Sequence, residues 1–176
     1  MKLLKSFLIV LTTFVVAVPS HAQTPAFADK TPQVLCAYMQ EMGIPGAATY
    51  RDQGKERWAC GSTRKKLIQG EPAAASDLQY RVLGTASSAD KQILELRMRS
   101  YREPQGVLRV FSGYVDVLLE KTLGVNISEE MYKSIMAPVD GSWRMNGHSL
   151  TLRKLHSKGN SYDLRFTVEP ATSPES

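Results

Sequence analysis

The sequence predicts an α+β fold: a single domain in which an antiparallel sheet of about five to six strands packs on two or three helices. Three observations predict it. Strand signals come in runs instead of alternating singly with helices, in the order α-β-β-β-α-α-β-β-β. Residues 93–101 and 161–168 alternate apolar and polar side chains, the mark of strands with one face covered and the other in water. The longest helical segment is apolar around more than half its circumference, which calls for burial on two sides.

The chain opens with residues 1–22, read as a cleaved secretory signal peptide. Lys2 and Lys5 supply a positive start and residues 7–18 an apolar run interrupted only by Thr12 and Thr13. Pro19 ends that run, and Ser20 and Ala22 place small residues at the cleavage-determining positions. An apolar run of 12 residues is short of the ~20 that span a bilayer, so an uncleaved anchor is the lesser reading. The expected location is periplasmic or secreted, with no stable membrane span after cleavage. Residues 23–30 form a lead-in, 31–169 the domain and 170–176 a frayed tail.

The first helix is expected over residues 31–42. Thr31 can cap it, Pro32 suits its first position, and Gly43 with Pro45 ends it. Val34, Leu35, Tyr38, Met39 and Met42 make its apolar face, with Cys36 on the flank. A strand follows over 55–61, entered by a turn at Gly54, with Trp58 and Cys60 on one face. Arg64-Lys65-Lys66 is a basic triplet and residues 70–77 a loop. Strands over 78–84 and 93–101 are joined through residues 86–90. In the second of these Leu94, Leu96 and Met98 face one way and Glu95, Arg97 and Arg99 the other.

The second helix spans 105–123, behind Pro104 and ahead of Gly124. Val107, Leu108, Val110, Phe111, Tyr114, Val115, Val117, Leu118 and Leu119 make its wide apolar stripe. The third helix, 127–137, is expected to cover what the sheet leaves open, with Asn126 as cap, Glu129 completing a capping-box pattern and Pro138 as stop. Asn146-Gly147 is a strong two-residue hairpin signal between strands at 143–145 and 148–155. A last strand, 161–168, turns Tyr162, Leu164, Phe166 and Val168 inward. This order of elements resembles the layout of secretion chaperones, in order alone and with no shared residue motif, so it implies nothing about function here.

Composition narrows the function classes. Removing Lys2 and Lys5 with the leader takes the formal charge from +5 to +3, which gives little support to nucleic-acid binding. The cysteines, Cys36 and Cys60, both survive cleavage, and in an oxidising compartment the simplest pairing is one disulfide. It would close a loop of about 25 residues, worth ~3.5 kcal/mol in the chain-entropy view. The spacing is not C-x-x-C, which argues against redox or metal chemistry.

No catalytic residue, metal ligand or cofactor site is assigned. His148 and His156 fall on one expected strand about 26 Å apart, too far to share an ion. No G-x-S-x-G elbow is present, and Ser112-Gly113 lies inside a helix. Glu129 and Glu130 sit in a helical first turn, where they favour the dipole. Glu95, beside Arg97 and Arg99, should be held ionised, unlike a general acid. Phosphate loops and dinucleotide fingerprints are missing from the sequence. Asn126-Ile127-Ser128 matches a glycosylation acceptor, relevant only in a suitable host.

What stands out is a surface. The outward strand positions collect Arg81, Arg97, Arg99, Arg153 and Arg165 against Glu95 and Asp163. Arginine pairs bidentately with carboxylate or phosphate, so such a face suits an acidic partner; cross-strand ion pairing on a solvated face is the plainer reading. Trp143 and Arg144, beside the Asn-Gly turn, form a second candidate patch, with Trp143 as core filler the alternative. The expectation is a small exported, non-catalytic protein that binds another envelope protein, as an inhibitor, immunity or secretion-accessory factor. The alternatives are an Arg-face binder of an anionic envelope polymer or lipid head group, and a hydrolase with dispersed catalytic residues.

Overall fold

The computed structural model describes residues 27, 31–44, 49–67, 75–99 and 104–171. The leader at 1–22, most of the lead-in and the end of the tail lie outside the described residues. The chain runs α1 (Pro32–Cys36), β1 (Arg51–Asp52), β2 (Trp58–Gly61), β3 (Lys65–Lys66), β4 (Asp77–Gly84), β5 (Ala89–Met98), α2 (Pro104–Leu123), α3 (Glu129–Met136), β6 (Gly141–Met145), β7 (His148–Lys158) and β8 (Ser161–Pro170). All strands join one antiparallel sheet in the order β1-β2-β4-β5-β8-β7-β6, with β3 beside the start of β4. This is the expected α+β class with more strands than expected, eight in place of five or six. The additions are β1 and β3, each two residues long and without an alternation to read.

The inner face of the sheet carries the core. Leu78, Tyr80 and Val82 of β4 lie beside Leu94 and Leu96 of β5, then Leu164, Phe166 and Val168 of β8, then Leu150 and Leu152 of β7, all nearly inaccessible. Helix α2 covers this face with Leu108, Phe111, Val115, Leu118 and Leu119, and α3 seals its other side with Met131 and Ile135. The two-sided burial expected of α2 is therefore met by the sheet and α3. Two of its expected stripe residues behave otherwise: Val110 is exposed, and Val117 is half-buried. Ser112 is buried instead, its hydroxyl donating to the Arg109 carbonyl at 2.8 Å.

Polar groups inside this core are tied between layers. Tyr80 Oη lies 2.7 Å from Gln92 Oε1 and 3.0 Å from the Leu35 carbonyl, and the Thr122 hydroxyl lies 3.4 Å from Gln92 Oε1. The cluster links α1, β4, β5 and α2 through groups that would be costly to bury alone. Burial also pushes the Tyr80 hydroxyl well above its ordinary pKa, keeping it a neutral donor.

Helix α1 is shorter than the expected 31–42. After Cys36 the chain continues to Gly43 in tighter turns, with Ala37, Tyr38, Gln40 and Gly43 N–H groups each bonding three residues back. Leu35, Cys36, Tyr38 and Met39 still share one buried side, but Val34 faces solvent. The disulfide joins Cys36 to Cys60 across 24 positions, so α1 is stapled to β2 as expected. Strand β2 begins at Trp58, later than expected, because Gly54, Lys55 and Glu56 all take positive φ in the β1–β2 turn. Strand β5 begins at Ala89, inside the stretch read as a hairpin connection.

Two further boundaries differ. Ser128, rather than Asn126, caps α3, its hydroxyl accepting from the Met131 N–H at 3.2 Å. Asp116 takes the Ile127 N–H at 2.7 Å and so shapes the α2–α3 connection. Strand β8 runs through Pro170, one residue into the stretch read as tail, and the Ala171 N–H donates to the Gly147 carbonyl at 2.8 Å. At Asn146-Gly147 both residues have positive φ (47° and 73°), as a type I′ hairpin turn requires. Asn146 also donates to the Leu123 carbonyl at 3.1 Å, pinning the hairpin tip to the end of α2.

Candidate functional site

The outer face of the sheet is ordered in cross-strand rows. Antiparallel register sets Asp77, Arg97, Asp163 and Leu155 side by side. The next row is Gln79, Glu95, Arg165 and Arg153, then Arg81, Ile93, Thr167, Thr151 and Ser142. A last row holds Leu83 with Lys91, and Glu169 with Ser149 and Arg144. Arg81, Arg97, Arg153 and Arg165 thus share one face, as their positions in the sequence predict. Arg99 joins them just past the end of β5, its guanidinium 3.3 Å from Asp163.

Glu95 is the hub. Its side chain is about one-tenth exposed yet meets three guanidiniums: Arg64 at 2.8 Å, Arg165 at 2.9 Å and Arg81 at 3.4 Å. Burial alone would raise its pKa; hydrogen bonds from Arg64 and Arg165 and the charge of Arg81 outweigh it and hold the carboxyl below its ordinary range. Glu95 is therefore ionised at neutral pH, in line with the reading from its neighbours, though the cations come from other strands. Asp77, also buried, takes Arg64 at 2.8 Å and Lys66 at 3.4 Å. Arg64 bridges the two carboxylates; the sequence marks it only as part of the basic triplet 64–66 and gives no sign of its partners.

These ion pairs leave a cationic remainder. Arg64, Arg81, Arg97, Arg99, Arg153, Arg165 and Lys66 share the outer side with Asp77, Glu95 and Asp163. Arg97 stands between Asp77 and Asp163 in register but has neither within ion-pair distance among the described residues. Arg153, opposite Arg165, swings to Asp140 at 3.1 Å. Cross-strand pairing thus accounts for Arg81, Arg99 and Arg165, and not for Arg97.

Trp143 and Arg144 do not form one patch. They are consecutive strand residues, so they point to opposite sides of the sheet. Trp143 is half-buried on the inner side beside Leu150, its ring folded over Gly141, where a Cβ would fall within 2.2 Å of it. Arg144 is exposed on the outer side and has no ion pair or hydrogen bond among the described residues. Beside it lies an open cavity of about 350 Å³ lined by Asp90, Lys91, Arg144, Ser149, Glu169, Pro170 and Ala171, where Lys91 pairs with Glu169 at 2.8 Å.

His148 is buried, unlike His156. Its Nδ1 lies 2.8 Å from the Asn146 carbonyl and its ring stacks on Phe27. A backbone irregularity separates the two histidines, with His156 at positive φ. Among the described residues no group of three or more His, Cys, Asp or Glu is arranged to hold a metal ion. No helix among them is long and apolar enough to cross a membrane. Comparison with known proteins finds no matching family, no similar curated protein and no similar solved structure.

Proposed function

We propose that the protein is a non-catalytic binding protein of an oxidising, extracytoplasmic compartment, and that it docks an acidic protein partner on the outer face of its sheet. The observation that carries this reading is Arg97: a cation at the centre of an arginine-rich face, flanked in register by two carboxylates and paired with neither. The surrounding arginines are held by Glu95, Asp77 and Asp163, so the array is set before a partner arrives and little side-chain freedom remains to be lost. A protein fits better than a uniform anionic polymer, because half-buried Leu83 and Leu155 interleave with the charges. The disulfide is compatible with that compartment. Inhibitor, immunity and secretion-accessory roles fit this reading equally.

Affinity capture from the extracytoplasmic fraction tests it. The mature protein should retain an acidic protein, and retention should fall as salt rises from 50 to about 300 mM. Arg97→Gln should weaken capture with little change in melting, and Arg97→Glu, which sets three carboxylates in a row, should abolish capture at some cost in melting. Capture that ignores both variants overturns the reading. Binding instead to vesicles rich in anionic lipid, with no protein retained, replaces it by the lipid alternative.

A further inference from the structure

Strand β6 closes one side of the sheet, and among the described residues nothing pairs with its far edge. The other edge is β1, two residues long and ended by the left-handed turn at Gly54–Glu56. Strand β6 has five residues, no proline and no bulge, and Arg144 is its one charged side chain.

The Asn146-Gly147 turn fixes which backbone groups of β6 are free. In a two-residue hairpin the residues flanking the turn, Met145 and His148, exchange both main-chain hydrogen bonds, and the pattern then alternates. Trp143 and Gly141 therefore bond inward to Leu150 and Leu152, while the N–H and C=O groups of Ser142 and Arg144 point off the edge. Two contacts on β7 agree with this phase. His148 faces Pro170 on β8, where no N–H is available, so its main chain must turn toward β6. Beyond the end of β6, the Lys154 N–H points the same way and is met at 2.8 Å by the Asp140 carboxylate.

The residues with free main chain are thus those whose side chains stand on the cationic outer face. Arg144 has no ion pair or hydrogen bond among the described residues and opens onto the cavity of about 350 Å³. The residue between them, Trp143, presents its half-buried ring on the inner side. We infer that the edge of β6 is a strand-addition site for an extended acidic segment of the partner, with a carboxylate side chain opposite Arg144 and an apolar one against Trp143. This rests on the proposed acidic partner and adds where and how it is gripped. Main-chain bonds at Ser142 and Arg144 supply affinity, and the flanking side chains supply sequence preference.

A blocked peptide of about six residues alternating Glu and Val is the probe, with Lys replacing Glu in the control. The mature protein should bind the Glu peptide at least about tenfold more tightly than the Lys peptide, and Arg144→Glu should reverse the order. Ser142→Pro removes an N–H to which no described strand bonds, so it should fold normally yet weaken peptide binding by about tenfold or more. Amide hydrogen exchange should slow at Ser142 and Arg144 on peptide addition and stay constant at Trp143.

Equal binding by Ser142→Pro, no binding of the Glu peptide, or slow exchange at Ser142 and Arg144 without peptide would each overturn the inference. The last would mean that a second copy or this chain's own segment already covers the edge, and molecular mass in solution tells those two apart. Partner capture lost in Arg97→Glu but kept in Ser142→Pro overturns edge docking alone. Capture kept in Arg97→Glu and lost in Ser142→Pro retains the edge and overturns the outer-face reading.

Discussion

The two faces of the sheet bury similar depths of side chain by opposite means. On the inner face Leu96, Leu164 and Phe166 vanish beneath α2 and need only matching volume. On the outer face Glu95, Asp77 and Asp163 are nearly as hidden, with arginine side chains gathered around them. Burial there is tolerated because the charge is met: Glu95 by three arginines, Asp77 by Arg64 and Lys66, and Asp163 by Arg99. The inner face is thus sensitive to shape and the outer face to charge, salt and pH. A face whose order rests on charge can also exchange an internal partner for an external one, which an apolar core cannot do.

Substitutions of graded effect would break or sharpen this contrast. Phe166→Ala on the inner face should cost the most, about 3–5 kcal/mol by denaturant unfolding, through lost transfer energy and a cavity. A loss below 1 kcal/mol would mean that the core is not shape-limited. Glu95→Gln should cost less, about 1–3 kcal/mol, because its arginine partners keep some access to water.

The same carboxyl predicts a pH dependence. Its folded-state pKa is lowered, so its stabilisation is complete above the unfolded value of about 4 and is lost as pH falls through the lower folded value. Acid unfolding of Glu95→Gln should therefore be shallower than that of the parent below about pH 4. Arg153→Ala should change stability least, within about 0.5 kcal/mol, since Arg153 and Asp140 are both half-exposed. A larger change would show the outer network to be more cooperative than its pairwise contacts suggest.

The contrast also explains what was legible in the sequence. Alternation exposed the strands that border the core, because Leu94, Leu96 and Met98 of β5 and Tyr162, Leu164, Phe166 and Val168 of β8 each line one face. The disulfide was legible from there being two cysteines in a chain whose first 22 residues read as an export signal. The short strands β1 and β3 and the left-handed Lys55 and Glu56 were not, since tertiary pairing and not local pattern places them. Arginine parity put the cationic face together correctly, yet the hub was hidden. Arg64 reaches Glu95 over 31 positions and Arg165 over 70, distances at which no local signal exists. Trp143 and Arg144 looked like one patch because proximity along a strand was read as proximity in space.

The staple between Cys36 and Cys60 has a topological consequence. Residues 36–60 form a closed covalent ring that contains the whole β1–β2 turn and is anchored by β2 in the sheet. A single backbone cut inside that ring would not divide the molecule: both new ends would stay attached, and only a reductant would let the N-terminal piece go. A cut inside the ring therefore leaves the molecule covalently whole, where a cut outside it would not.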